Sequence, residues 1–198
     1  MNAIHQLLKP LSYIRIKHPT KAYFDWWLPL FFAAAAWLFF YYVVKSPKLF
    51  GDSGLVSGVN ELLQVLVGFY IAALAAIATF QKPGMDDRMA GDPVTLEEEY
   101  RGHTLLVELT RRRFLCYLFG YLAWLSLALY FAGIILASSR HAIAAAIQPQ
   151  YLAAVKFGGL AIYLFVLANL FITTMLGLYY MSHRLHLSEP KDTTGEGQ

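Results

Sequence analysis

Four long apolar segments dominate this chain of 198 residues, and they limit the folds that it can adopt. The segments cover residues 26–44, 62–80, 114–137 and 158–181. A helix rises about 1.5 Å per residue, so about 20 apolar residues cross the roughly 30 Å of hydrocarbon in a bilayer. Hydrophobic residues make up 58% of the chain and charged residues only 15%, whereas soluble domains carry about 25% charged residues. The pattern predicts an all-α integral membrane protein with four transmembrane helices.

Positive charge is distributed unevenly over the connecting segments. Of the 16 Lys and Arg, only Lys45, Lys48, Arg140 and Lys156 lie between the first and second or the third and fourth apolar segments. The others lie before the first, between the second and third, or after the fourth: Lys9, Arg15, Lys17, Lys21, Lys82, Arg88, Arg101, Arg111, Arg112, Arg113, Arg184 and Lys191. Cytoplasmic loops of membrane proteins are enriched in Lys and Arg. The distribution therefore predicts that both termini and the loop over 81–113 lie in the cytoplasm.

The regions that flank the apolar segments divide the chain further. Within residues 1–25, apolar residues recur at spacings of three and four, with polar residues between them. They are Ile4, Leu7, Leu8, Leu11 and Ile14. This spacing is typical of an amphipathic helix in the membrane interface, although Pro10 would kink or split it. Residues 26–181 form the predicted transmembrane domain, and the polar tail over 182–198 is predicted to be disordered.

The second and fourth segments carry polar or small residues at intervals of four, which align along one helix face. In the second segment they are Asn60, Gln64, Gly68, Ala72 and Ala76, and in the fourth Asn169 and Thr173. Small residues let helix backbones approach closely, and amides bond across such contacts, so the pattern favours a packing seam or a homo-oligomer interface. Polar residues within a membrane also mark ion and ligand paths, so a pore face stays open as the alternative. Asn169 lies near the centre of its segment and should face protein rather than lipid.

The loop over 81–113 has a strongly charged second half. From residue 94 onward, the sequence VTLEEEYRGHTLLVELTRRR places acidic residues early and arginines late, as a helix dipole favours. We therefore expect a helix that runs towards the third transmembrane helix. Its two charge clusters are Glu97, Glu98 and Glu99, and Arg111, Arg112 and Arg113. The arginines are expected to anchor lipid phosphates or dock an acidic partner, and the glutamates to begin a solvated helix or dock a cytoplasmic protein.

Residue patterns for catalysis and cofactor binding are absent from the sequence. None of the four apolar segments contains Asp, Glu or His. Glu99 with His103, and His183 with His186, each supply two ligands where a structural zinc site takes four. The chain has no glycine-rich phosphate loop and no GxSxG or HExxH motif. We therefore predict no enzymatic activity, no metal, no cofactor and no direct nucleic-acid contact.

Three stretches of the sequence resemble a known family. They are GLVSGVNELLQVLVGFYIAALAAIATF, TRRRFLCYLFGY and NLFITTMLGLYYMSHRL. These are similar to KwaA, the family of small membrane subunits of bacterial Kiwa anti-phage defence systems, and the similarity covers most of residues 20–187. The resemblance implies a four-helix protein of the bacterial inner membrane that forms a homo-oligomer, with a tetramer as the expected size. It also implies a cytoplasmic, DNA-binding partner of the KwaB type, and it carries over no catalytic residue.

Two function classes follow from these observations. The first is a non-enzymatic sensor and scaffold that detects membrane perturbation during phage infection and docks a cytoplasmic effector. The second is an oligomeric pore or holin-like effector that depolarises the membrane, with the helix face from Asn60 to Ala76 as its lining. A neighbouring gene for a soluble DNA-binding protein would favour the first class, and conductance of the purified protein in planar bilayers the second.

Overall fold

The computed structural model describes residues 6–45, 47–51, 54–79, 84–88, 93–100 and 103–184. In this part of the chain, four helices are long and apolar enough to cross a membrane. They are α1 (Tyr23–Val44), α2 (Leu55–Thr79), α3 (Arg111–Ala146) and α4 (Pro149–Tyr179), the last continued by a π-helical turn over Tyr180–Arg184. The prediction of four membrane-spanning helices is confirmed at this level, and their orientation in a membrane stays a prediction.

α3 and α4 extend well beyond the predicted segments and leave only residues 147–148 between them. The added part of α3 is rich in alanine, the residue with the highest helix propensity. Pro149 then opens α4 at the first helical position, where its missing N–H is not needed. At the other end of α3, the Thr110 side chain accepts a hydrogen bond of 3.4 Å from the backbone N–H of Arg113 and caps the helix.

The four helices pack as two pairs, and α3 and α4 join the pairs. α2 lies along α3, and the fully buried Leu63 and Leu118 belong to the main apolar core between them. α1 lies along α4, where Ala33, Leu160 and Leu164 form a second, smaller core. Many large apolar side chains stay exposed on the outer surfaces of the helices. Lipid is the solvent that such a surface requires.

A β-hairpin precedes α3, so the helix predicted for this region is wrong. Strand β1 (Thr95–Tyr100) pairs antiparallel with β2 (His103–Glu108). Leu96 of β1 is buried in the main core, and the β-branched residues of β2, Thr104 and Val107, favour extended backbone over helix. The two residues between the strands, Arg101 and Gly102, lie outside the described residues. The chain is therefore mostly helical rather than all-α.

Within the stretch where an amphipathic helix was expected, residues 6–7 are α-helical and Lys9–Arg15 form a 3₁₀ helix. Pro10 opens it, and the three-residue period of a 3₁₀ helix then aligns residues 10, 13 and 16. Tyr13 and Ile16 are buried accordingly, with only 1% and 4% of their surfaces exposed, whereas Leu7 is 71% exposed. The segment packs against α3. Residues 1–5, which include Ile4, lie outside the described residues, and an interfacial position of the segment stays a prediction.

Candidate functional site: a buried ion pair where the N-terminal segment meets the helices

The most distinctive polar feature of the structure is an ion pair at the start of α1. Lys21 and Asp25 are four residues apart, which places them one helical turn from each other, and the Lys21 ammonium contacts the Asp25 carboxylate directly. Their side chains are only 11% and 10% exposed. The residues Tyr23–Trp27 form a π-helical turn around Asp25. Such single π-turns occur frequently at functional sites.

The N-terminal segment provides further partners for both charges. The Tyr13 hydroxyl donates a hydrogen bond of 3.3 Å to the Asp25 carboxylate. The Lys21 ammonium lies 4.4 Å from the centre of the Tyr13 ring, a cation–π distance, and donates to the Ile14 carbonyl at 3.5 Å. A buried charge is tolerated when such partners replace its hydration. The ion pair therefore holds the N-terminal segment against α1.

α3 and α4 complete the cluster from the opposite side. The Tyr121 hydroxyl donates to Asn169 Oδ1 at 2.8 Å, and Asn169 Nδ2 donates to the Asp25 carbonyl at 2.9 Å. The rings of Tyr13 and Tyr121 stack with their centres 5.0 Å apart. We call Tyr13, Lys21, Asp25, Tyr121 and Asn169 the junction cluster. It connects the N-terminal segment, α1, α3 and α4 through one continuous set of polar contacts.

The protonation state of Tyr13 follows from its surroundings. Burial, and secondarily the negative charge of Asp25, raise the pKa of the Tyr13 phenol well above its usual range. Tyr13 therefore stays protonated and keeps donating to Asp25 at every physiological pH. A groove of 490 Å³ lined by Lys21, Asp25 and Thr95 opens beside the cluster.

The cluster lies close to the end of the bundle at which α1 and α3 begin. Asp25 directly precedes the first predicted transmembrane segment, residues 26–44. Tyr121 follows Arg113 by eight residues along α3, which is about 12 Å of helix. The ion pair therefore lies where the N-terminal segment joins the helices.

The predicted polar face of α2 is divided between two environments. Asn60 and Gln64 lie towards α3: Gln64 Nε2 donates to the Tyr130 hydroxyl at 3.4 Å, and Asn60 packs where α3 has Gly133. A Cβ atom at Gly133 would come within 2.7 Å of Asn60 Oδ1, so a larger residue there would force the Asn60 amide to shift. These contacts are those of a packing seam within one chain.

The small residues of the same face point away from the rest of the chain. Gly68 and Ala72 are exposed, and Ala76 is half-buried. A Cβ atom at Gly68 would meet nothing within 4 Å. A neighbouring molecule could therefore approach the α2 backbone closely here, as the predicted oligomer interface requires. In α4, by contrast, Asn169 and Thr173 are buried inside the chain's own fold and do not form part of this outer face.

The three predicted arginines open α3, and Arg112 connects it to α2. Its guanidinium donates two hydrogen bonds, of 2.8 and 3.0 Å, to the Asp86 carboxylate, and a third of 3.1 Å to the Ile77 carbonyl in the last turns of α2. A cation at this position satisfies carbonyls at a helix C-terminus and interacts favourably with the helix dipole. The hydrogen bonds from Arg112 lower the pKa of the Asp86 carboxyl. Arg112 thus has a structural partner in addition to any lipid phosphate.

The predicted acidic cluster lies on β1. Glu97 accepts a hydrogen bond of 2.7 Å from the Lys17 ammonium of the N-terminal segment, and this contact lowers the pKa of the Glu97 carboxyl. The pair is exposed, with 63% of Lys17 and 47% of Glu97 accessible. The side chains of Glu98 and Glu99 lie outside the described residues. Sequence analysis did not anticipate a cation from the N-terminal segment beside Glu97.

Sequence analysis also missed the junction cluster, apart from Asn169. The available signal was the pair Lys21 and Asp25, spaced by four residues directly before an apolar segment. Among the described residues, no three His, Cys, Asp or Glu side chains come together as a metal site. No protein family matches this chain, and comparisons with curated proteins and with solved structures find no match either.

Proposed function

We propose that this chain is a non-enzymatic sensor and scaffold of the bacterial inner membrane, a subunit of an anti-phage defence complex. In this proposal it forms a homo-oligomer, detects membrane perturbation during infection, and docks a cytoplasmic DNA-binding effector of the KwaB type. Both termini and the hairpin face the cytoplasm. The sequence resemblance to KwaA supplies the biological context, and the junction cluster supplies the structural argument.

The observation that carries the proposal is the continuous connection from the helices to the hairpin. Lys17 and Thr95 exchange two backbone hydrogen bonds, of 2.8 and 3.2 Å, so β1 pairs directly with the N-terminal segment. The same segment is held on α1, α3 and α4 through the junction cluster. A membrane stress that shifts α1 against α3 and α4 therefore has to move this segment or break its contacts, and either change reaches the hairpin. Coupling between distant sites requires a physical connection of this kind.

The hairpin provides a suitable surface for a protein partner. Leu105 and Leu106 on β2 are exposed. Within the described residues, β2 pairs only with β1, so its outer edge has backbone groups available for an added strand. Exposed strand edges bind extended segments of other proteins by backbone hydrogen bonds. Docking at this edge would place the partner on the side of the hairpin opposite the N-terminal segment, so a change at the junction cluster would reach the partner through β1 and β2.

The proposal is tested by a defence assay in bacteria that express this chain together with its neighbouring gene. We expect fewer phage plaques with the wild type and with Lys48→Met, which removes an exposed cation at the far end of the helices. Lys21→Met should lose the protection even at a growth temperature at which the variant is still inserted in the membrane and has the oligomer size of the wild type in native mass spectrometry. Absence of protection by the wild type against a broad phage panel would refute the defence role. Full protection by a correctly inserted Lys21→Met variant would refute signalling through the junction cluster.

A pore is the second candidate, and the exposed Gly68 and Ala72 face favours it. Several copies that meet along this face could enclose a path, with the exposed Gln64 near one end of it. Purified protein in planar bilayers would then conduct ions, and Gln64→Leu would change that conductance. A sealed bilayer at protein densities that give full oligomers would exclude the pore and leave the scaffold.

A further inference from the structure

A second cavity lies at the opposite end of the helices from the junction cluster. It has a volume of 690 Å³ and lies between the start of α2, the last turns of α3 and the first turns of α4. Its walls are mainly aliphatic and aromatic side chains, among them Phe50, Leu136, Ile143, Leu152 and Leu160. The volume lies within the range of small-molecule and cofactor sites in proteins, roughly 300–1,000 Å³.

Two cations border this apolar cavity. Arg140 on α3 and Lys156 on α4 both line it, together with His141. No described carboxylate forms an ion pair with either cation. These residues are also two of the only four Lys and Arg at this end of the helices, where the positive-inside rule disfavours cations. Their positions at one cavity therefore indicate a ligand with negative charge.

Tyr163 contributes to the inner wall of the same cavity. Its hydroxyl oxygen has almost no accessible surface, so it lies behind the wall and does not face the cavity. Tyr163 follows Lys156 by seven residues along α4, which is about 10 Å. The cavity thus extends from the two cations at the end of the helices towards their middle.

We propose that this cavity binds one anionic glycerophospholipid from the adjacent bilayer leaflet. Arg140 and Lys156 contact the phosphate, and an acyl chain fills the apolar part. Charge-assisted hydrogen bonds from Arg and Lys to phosphate are strong, and basic pockets between transmembrane helices bind anionic headgroups. The proposal requires only that the helices span a membrane, so it stands or fails independently of the defence role.

The headgroup part of the proposal is tested by native mass spectrometry in detergent with added phosphatidylglycerol or phosphatidylcholine of identical chains. Wild-type protein should retain one phosphatidylglycerol per subunit in preference to phosphatidylcholine. The double variant Arg140→Gln, Lys156→Gln should bind it at least about tenfold more weakly. The matched control is Lys45→Gln, Lys48→Gln, which removes two cations at the same end that do not line the cavity, and it should bind as the wild type does.

The acyl-chain part is tested with two adjacent glycines of α4. Gly159 lines the cavity and Gly158 does not, and a Cβ atom at either position meets nothing within 4 Å. Gly159→Phe should therefore fill the cavity and displace the lipid, whereas Gly158→Phe should retain it. If Gly159→Phe and the double Gln variant both retain as much phosphatidylglycerol as the wild type, the lipid is bound only nonspecifically around the helices. That result would overturn the proposal. Preferential binding of oleate over phosphatidylglycerol would also overturn it, because the ligand would then be a free fatty acid.

Discussion

Breaking the Lys21–Asp25 pair from one side should strongly destabilise the protein. Both side chains are about nine-tenths buried, and removing one partner of a buried ion pair typically costs about 3–5 kcal/mol. In Lys21→Met, the Asp25 carboxylate loses its cation and keeps only the Tyr13 hydroxyl. In Asp25→Leu, the Lys21 ammonium keeps the Ile14 carbonyl and the Tyr13 ring. We therefore expect the larger loss from Lys21→Met.

The double variant Lys21→Met, Asp25→Leu provides the decisive comparison. It removes both charges and leaves apolar side chains in their places, a replacement that is often neutral or stabilising for buried pairs. It should therefore lose less stability than either single variant. The measurement is the free energy of unfolding by SDS in mixed detergent micelles, followed by tryptophan fluorescence.

The exposed pair Lys17 and Glu97 provides the control, with the substitutions Lys17→Met and Glu97→Leu. Exposed ion pairs contribute little, because water and salt screen them. The coupling energy between these two substitutions, taken from their single and double variants, should therefore be small. Losses below about 1 kcal/mol in both Lys21→Met and Asp25→Leu, the usual range for exposed pairs, would refute the reasoning that the pair is buried and structurally important.

Four further predictions concern the two environments of the α2 face, the acidic cluster and the exposed Lys17–Glu97 contact. Gly133→Leu should disrupt the α2–α3 contact at Asn60 and lower the thermal stability of the protein. Gly68→Leu with Ala72→Leu should leave the subunit folded and reduce the oligomer to smaller species in native mass spectrometry. An unchanged oligomer would place the interface elsewhere. Replacing Glu97, Glu98 and Glu99 by Lys should abolish co-purification of the cytoplasmic partner. The control variant Glu61→Lys should still co-purify the partner. An unaltered pull-down with the triple variant at low salt would exclude the acidic cluster as the docking site. Lys17 lowers the pKa of the Glu97 carboxyl, so this contact should stabilise the fold above the ordinary Glu pKa of about 4.3. The stabilisation should be lost as the pH falls through the lower pKa of the folded protein. Glu97→Gln should therefore differ from the wild type in melting temperature at pH 7 but not at pH 2.

The helices could be predicted from the sequence because their signal is local. Runs of apolar residues such as 62–80 are long enough to determine a spanning helix without any knowledge of their neighbours. The hairpin could not be predicted in this way. The glutamates of β1 favour helix, and the outcome depends on the burial of Leu96 and on the pairing of Thr95 with Lys17, which is distant in sequence. Tertiary contacts outweigh local propensity at such positions.

The candidate site was only partly visible in the sequence for the same reason. Asn169 could be recognised, because a single amide in an apolar run needs a polar partner. Its partners, the Tyr121 hydroxyl and the Asp25 carbonyl, belong to other helices and cannot be identified from spacing. Likewise, the interval of four residues from Asn60 to Ala76 identified one helix face. It did not show that Asn60 lies against Gly133 while Gly68 is exposed.

The central claim is that the junction cluster controls the contact between the N-terminal segment and the hairpin. Amide hydrogen exchange in lipid nanodiscs tests it most directly, at the backbone N–H groups of Lys17 and Thr95, which bond to each other's carbonyls. Opening of that contact determines their exchange rates. We predict that both amides exchange at least about tenfold faster in Lys21→Met than in the wild type. A loss of roughly 1.4 kcal/mol or more in local stability would produce this acceleration. The control variant Lys48→Met should leave both exchange rates unchanged. Equal exchange in the wild type and in a folded Lys21→Met variant would contradict the claim.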